Sequence, residues 1–422
     1  MKRIFLSLTG IMLLCLMSNS VYAQFSLTAE VRPRTEFSHG YKTLAAPNDD
    51  LSTFTTQRTR LGLFYYDDEV KARIVMQDVR SWGSQPQLVG NEDFGVSVHE
   101  AWAEAYLFDD FSFRAGRQEL VYDDHRIFGN VGWAQQGRSH DMVCLMFERG
   151  LKVHAGFAYH ENSIRSNNLY TGPDAYKTMQ YLWMNRIFGP LNVSILGLNL
   201  GVPVSTKVDS LGNVLEQKNN YAQTIGFYAE YEKFHRLSFN GNAYYQLGKD
   251  VLDNDINAWE FALGVSYDFR APFKLKARYE MLSGNDQQKI NNDNNAFSPY
   301  FGTNHKFNGH MDYFYVGNHM NNVGLRDASL SLNFKKEKLQ AMLTAHYFSA
   351  AANPGANRDN YLGTELDFML AYDLHKAVDL QLGYSRMLPS ETMEGLKTGD
   401  KDEPQYWAWI MASFDLKGFL VD

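Results

Sequence analysis

Cysteine and proline are scarce: the 422 residues include 2 cysteines and 11 prolines. Cys15 falls in the apolar start of the chain, so a processed protein keeps Cys144 alone and has no internal disulfide to staple a small core. After Ala23 there is no run of the roughly 18 to 20 apolar residues that a spanning helix needs, which excludes transmembrane helices. Positive charge is not in excess either. With 40 Lys and Arg against 48 Asp and Glu the net charge is -8, so no global field favours nucleic acid or an anionic bilayer surface. Disorder is excluded by the bulky residues, 28 Phe, 25 Tyr and 7 Trp.

The first residues read as a secretory leader. Lys2 and Arg3 precede an apolar stretch from Ile4 to Met17, and Val21-Tyr22-Ala23 offers a small-x-small cleavage site before Gln24. A lipoprotein signal at Cys15 is disfavoured, because Leu14 stands where that processing wants a small residue. The expected division is a signal peptide at 1–23 and a single domain at 24–422. Removing the leader leaves 38 basic against 48 acidic residues, a net charge of -10.

Apolar residues recur at spacing two. Phe25, Leu27, Ala29, Val31, Pro33 and Phe37 fall on one face of the opening segment, and Ser26, Thr28, Glu30, Arg32, Arg34 and Glu36 on the other. The same alternation sets Trp259, Phe261, Leu263, Val265 and Tyr267 against Glu260, Ala262, Gly264, Ser266 and Asp268. It also sets Leu366, Phe368, Leu370 and Tyr372 against Glu365, Asp367 and Asp373. About eighteen such segments follow one another, each roughly 9 to 14 residues long.

Every second connection is short, as at Asp67-Asp68, Asp109-Asp110, Arg149-Gly150 and Gly189-Pro190. The others are long and polar, as at 162–177, 202–220, 284–323 and 389–404. Together these features predict an all-β fold: a transmembrane up-and-down antiparallel barrel of about 18 strands with short periplasmic turns and long extracellular loops. Lipid offers no hydrogen-bond partners, so only a closed cylinder of strands can face it. A soluble sandwich is the alternative, but its strands are typically about half this length and its hairpins keep no long-short rhythm. The expected location is the outer membrane of a Gram-negative bacterium. Expected partners are outer-membrane lipid and the barrel assembly machinery, to which the aromatic last strand (Tyr406, Ala408, Ile410, Ala412, Phe414) would be addressed; nucleic acid is not expected.

With lipid outside, the polar face of each strand lines the lumen. Arg32, Arg34, Arg58, Arg60, Lys71, Arg73 and Arg114 then form a basic patch across the early strands, because neighbouring strands lie about 4.8 Å apart. Acids follow at Glu100 and Glu104, at Glu230, Glu260 and Glu280, and at Glu365 and Asp367. Lumenal charges often only pair with neighbours and keep a channel wet. A contiguous arginine group is also suited to bidentate binding of carboxylates and phosphates.

The most specific stretch is Gly116 to Asp141, with Arg117, Gln118, Glu119, Asp124, Arg126, Gly129, Asn130, Trp133, Gly137, Arg138 and Asp141. Guanidinium, carboxylate, amide and aromatic groups together suit a uronate. The run, preceded by Glu100, Trp102, Glu104, Ala105 and Tyr106, resembles the hallmark of the alginate export family of outer-membrane barrels. The resemblance covers the first third of the chain well, and the remainder in strand rhythm. It implies an eighteen-stranded barrel that passes a polyuronate through an arginine-lined constriction.

The expected function is therefore an outer-membrane channel for anionic saccharides or related small organic anions, with no cofactor and no resident metal. A general diffusion porin is the alternative, followed by a barrel enzyme or a plugged surface-binding barrel. Ser139, His140 and Asp141 could suggest a catalytic triad, but alternation turns His140 away from the other two. His305, His310, Asp312 and His319 lack a recognised metal spacing and read as solvated loop residues. Asn285, Asp286 and the Asn291–Asn294 run lack the pattern of a calcium loop and read as a polar loop tip. Cys144 reads as an ordinary strand residue. The loops at 120–138 and 284–323 are long enough to fold inward.

Overall fold

The computed structural model describes residues 24–88, 95–161, 169–172, 176–270, 272–289 and 293–421. The expected leader at 1–23 lies outside them, as do Asn168, Ala271, Asn291 and Asn292. Eighteen strands close into one antiparallel ring. In chain order the first nine are β1 (Gln24–His39), β2 (Ser52–Tyr66), β3 (Val70–Ser81), β4 (Val96–Phe108), β5 (Phe111–Gln118), β6 (His140–Glu148), β7 (Leu151–Tyr159), β8 (Thr178–Phe188) and β9 (Leu191–Val208). Then come β10 (Val214–Phe234), β11 (Leu237–Lys249), β12 (Asp255–Asp268), β13 (Phe273–Leu282) and the two-residue β14 (Asp293–Asn294), which pairs in parallel with the start of β12. The ring continues with β15 (Leu325–Lys336), β16 (Leu339–Ser349), β17 (Tyr361–His375), β18 (Val378–Pro389) and β19 (Gln405–Val421).

Each strand of the ring pairs with the next, β13 directly with β15, and β1 pairs with both β2 and β19, from Arg34↔Met411 to His39↔Tyr406. Closure leaves no sheet edge to pair with another chain. Period-two alternation sorts the two faces: Leu61, Ile74, Ile225, Leu263, Leu330 and Ile410 stand exposed on the outer wall, whereas Glu260, Glu280, Glu365 and Asp367 are buried inside. A water-filled bore and a hydrocarbon exterior demand this inversion of the soluble pattern. Aromatic pairs such as Phe25–Tyr65 and Phe273–Phe334 gather near the short-turn end, as an interfacial girdle does.

Eight short turns join strands at one end of the barrel, and the first is held by Asp67 Oδ1, which accepts from the backbone N–H of Glu69 and Val70 at 2.8 and 2.7 Å. The expected long connection at 202–220 is instead mostly strand. β9 and β10 run on through it, pairing Val202 with Asn220 and Val208 with Val214. The valines and threonine of Val202–Val208 favour extended backbone, and the turn is only 209–213, where Asp209 Oδ1 accepts from Leu211 and Asn213 N–H. The last strand likewise runs on beyond Phe414, with Phe25 opposite Val421.

Candidate functional site

Two long connections turn back into the lumen, the β5–β6 loop (119–139) and the β13–β15 loop (283–324). They pack on each other: Gly129 N–H donates to Phe301 O at 2.9 Å, Thr303 N–H to His125 O at 3.0 Å, and Phe128 stacks on Phe301. Phe128, Phe297, Met311, Tyr313 and Phe314 are almost fully buried between them. The apolar core of this protein therefore sits inside the bore, under the long-loop end.

The basic patch of β1 and β2 holds the first loop. Arg32 donates to the carbonyls of Gly132 (2.8 Å), Trp133 (3.1 Å) and Ala134 (3.0 Å) and to Gln135 Oε1. Arg34 pairs with Glu36 at 2.8 Å, donates to Trp133 O and lies over the Trp133 ring. Arg58 pairs with Glu30 at 2.6 Å and reaches Gly132 O and Ala134 O. Arg60 donates to Gln77 Oε1 at 2.7 Å. Lys71, Arg73 and Arg114 form a second group with acids of β4: Arg73 pairs with Glu100 at 2.7 Å, Arg114 with Glu104 at 2.6 Å and over Trp102, and Lys71 donates to Tyr106 Oη. The seven predicted cations thus all face the lumen, but as two groups, each engaged with protein partners.

The motif loop is built from its own polar residues. Glu119 accepts from Asn130 Nδ2 at 2.8 Å and meets His99 Nε2 at 2.7 Å. Arg126, fully buried, crosses the lumen to Glu280 Oε2 at 2.9 Å and Asn308 Oδ1 at 3.1 Å. Asp124 accepts from Asn242 Nδ2. Trp133 stacks on His305 with ring centroids 4.7 Å apart, and Arg138 donates to Gly302 O at 3.0 Å. Burial lowers Arg138 to about 10. Arg117 and Asp141 pair with each other at 2.9 Å near the exposed rim, and Gln118 bonds backbone carbonyls of the wall.

The second loop rests on the acidic wall. Asn308 Nδ2 donates to Glu280 and Asp327, Met311 N–H to Glu365 Oε1 at 2.8 Å, and His310 N–H to Asp367 Oδ2 at 3.4 Å. Gly309 permits this approach: it sits at φ +84°, and a Cβ there would meet the Glu365 carboxylate at 2.6 Å. His305 bonds Asp312 at 2.6 Å, and His319 meets Gly324 O at 3.0 Å. The expectation of solvated loop histidines is therefore corrected: the loop folds into the barrel, Asp312 and His319 are buried, and burial pushes His319 down to about 3. Among the described residues, no group of three or more His, Cys, Asp or Glu is arranged to hold a metal ion. Ser139, His140 and Asp141 face different partners, His99, Tyr176 and Arg117. Cys144 is a buried strand residue beside Tyr181 Oη.

Open volume lies below the loops and against β13. A cavity of about 420 Å³ is bounded by the loop residues Asp123, Lys306 and Phe307 and by Lys276, Arg278 and Glu230 of the wall. Two more, of about 230 and 380 Å³, continue toward the short-turn end, and all three touch Lys276. Lys274, Lys276 and Arg278 point inward at every second position of β13, opposite Asn333, Ser331 and Ser329 of β15. Arg278 is held by Glu280 at 3.0 Å, whereas the ammonium groups of Lys274 and Lys276 make no hydrogen bond or ion pair with another described residue. Sequence reasoning passed over this line of cations because it lies between acids, although their i, i+2 spacing was legible. Of the groups the loops bring to the cavity, burial raises Asp123 to about 6 and lowers Lys306.

A closed barrel of eighteen strands with a polar lumen narrowed by inward loops is an outer-membrane porin, and its place is the outer membrane of a Gram-negative bacterium. The family model described as alginate export matches residues 216–400, which bears out the resemblance to that family. The match covers β10 to β18 and the second inward loop, not the Gly116–Asp141 run that carries the resemblance in sequence. Among solved structures, Pseudomonas aeruginosa OccK11 is similar at 12% identity and a TM-score of 0.60, over 94% of this chain and 97% of that one. Pseudomonas aeruginosa OpdK, solved with vanillate, is similar at 11% identity and 0.60, over 94% and 99%. Acinetobacter baumannii OccAB1 is similar at 13% identity and 0.60, over 94% and 97%. No curated protein matches the sequence.

Proposed function

We propose that this porin is a passive channel for small organic anions of the acidic-saccharide kind, without catalysis and without a cofactor. The observation that carries the reading is the pair Lys274 and Lys276, two inward cations on the wall that borders the cavities whose ammonium groups form no ion pair among the described residues. In a narrow bore an ammonium held in no ion pair attracts anions, and the acids of the same cavity, Glu230 and Glu232, stand across it from the lysines. Arg32, Arg34 and Arg58 set the bore by holding the first loop, and with Arg60, Lys71, Arg73 and Arg114 they add positive potential along the opposite part of the wall. Asn, Ser and Thr side chains beside the lysines offer partners for hydroxyl groups. The alginate export match and the vanillate-bound OpdK, which holds an aromatic carboxylate, support an anionic solute. The test is single-channel conductance of the purified protein titrated with short oligouronates. Current block by oligouronate and no block by neutral oligosaccharides of equal length is expected. Equal passage of anions, cations and neutral sugars would leave a general diffusion porin.

A further inference from the structure

Below the constriction the wall between β10 and β13 forms a trough with opposed banks. Glu230 stands opposite Asn240, Asn240 opposite Gly264, and Gly264 opposite Arg278. One step nearer the short turns, Ser238 pairs with Ser266 and Ser266 with Lys276. The side chains between the banks are therefore small or short, and Gly264 leaves room where a Cβ would come within 2.1 Å of Asn240 Oδ1. The result is a cavity of about 230 Å³ with Glu230 and Glu232 on one bank and Lys274, Lys276 and Arg278 on the other.

No salt bridge joins the two banks. The Glu230 carboxylate accepts only from Tyr228 Oη at 3.2 Å, and the side chains of Glu232, Lys274 and Lys276 have no hydrogen-bond or ion-pair partner among the described residues. Three interstrand steps separate β10 from β13, about 14 Å along the curved wall, so the opposed charges face each other across a gap. A simple anion entering it satisfies the lysines but meets two carboxylates, and a simple cation meets the reverse. Only a solute that carries both signs satisfies both banks.

We propose that this trough binds a zwitterionic solute whose ammonium and carboxylate stand several bonds apart, as in a dipeptide. The carboxylate lies against Lys274 and Lys276, the ammonium against Glu230 and Glu232, and the backbone amide over Ser238, Asn240 and Ser266. An α-amino acid holds its two charges on adjacent carbons and so spans less of the gap. This goes beyond the anion-channel reading, which rests on the lysine bank alone.

The test is calorimetric titration of the detergent-solubilised full chain with glycylglycine, with N-acetylglycine, which lacks the ammonium, and with glycinamide, which lacks the carboxylate. Glycylglycine is expected to bind, and each singly charged analogue to bind about ten-fold more weakly or less. E230Q/E232Q, with neutral isosteres that keep the wall packed, is expected to reduce glycylglycine to the level of N-acetylglycine. Equal binding of glycylglycine and N-acetylglycine by the wild type, no binding of glycylglycine, or an E230Q/E232Q variant with unchanged affinity overturns the proposal. Binding is read without current, so a failure of the conductance test leaves this result separately readable.

Discussion

Arg32 and Arg58 stand directly opposite each other in the β1–β2 register, and their guanidinium groups share the same two carbonyls, Gly132 O and Ala134 O. Two like charges are tolerated there because Glu30 lies within 3.8 Å of the first and 2.6 Å of the second, and because five N–H···O contacts draw the loop backbone onto them. A hydrogen bond to a charged group contributes roughly 1.5 to 3 kcal/mol. Replacing both arginines by glutamine should therefore free the 119–139 loop without opening the barrel. Single-channel conductance and open-channel noise should rise while the unboiled protein keeps its altered migration in detergent. Unchanged conductance would show that the loop does not depend on them.

Arg126 and Glu280 should differ in what their loss does. Arg126→Met leaves Glu280 with Arg278 at 3.0 Å, whereas Glu280→Leu leaves fully buried Arg126 with a neutral amide as its remaining partner. Stranding a buried charge costs about 3 to 5 kcal/mol. The temperature at which heat-modifiable migration is lost should fall further for Glu280→Leu than for Arg126→Met. Equal or reversed losses would contradict the pairing.

Selectivity should depend on pH through Asp123, which burial raises to about 6 and which borders the cavity containing Lys276 and Lys306. The sign follows from the direction of the shift. Below about pH 6 this carboxyl is protonated and adds no charge; above it, one more negative charge joins the cavity. Anion preference should thus weaken as pH rises through about 6, and Asp123→Asn should flatten that step while keeping the low-pH value. A step of the same size in the variant would assign it to another group.

Much of this architecture was legible because water inside and lipid outside impose period two on every strand. Glu260 among Trp259, Phe261 and Leu263 can only point inward. What the pattern could not reveal is partnership. It turns Arg32 into the lumen but does not show that its partners are backbone carbonyls about a hundred residues away. His310 and Asp312 look solvated in an asparagine-rich loop until that loop is seen seated on Glu365 and Asp367. Val202 to Asn220 looks polar enough for a loop, yet its alternate residues pair as strand.

The assignment of the long loops to the outside can be checked at two positions. Ser210 lies in the β9–β10 turn, and Asp109 in the short β4–β5 turn at the opposite end. With Cys144 buried, S210C should react with an impermeant maleimide on intact cells, and D109C only after permeabilisation. The opposite pattern would invert the topology.

The central claim is that unpaired cations on β13 select the permeant ion, and the reversal potential under a potassium chloride gradient tests it most directly. The wild-type channel should reverse on the chloride side, and K274Q/K276Q should move the reversal potential toward zero with conductance largely kept. A wild-type channel that prefers potassium, or a double variant with an unchanged reversal potential, would contradict the account.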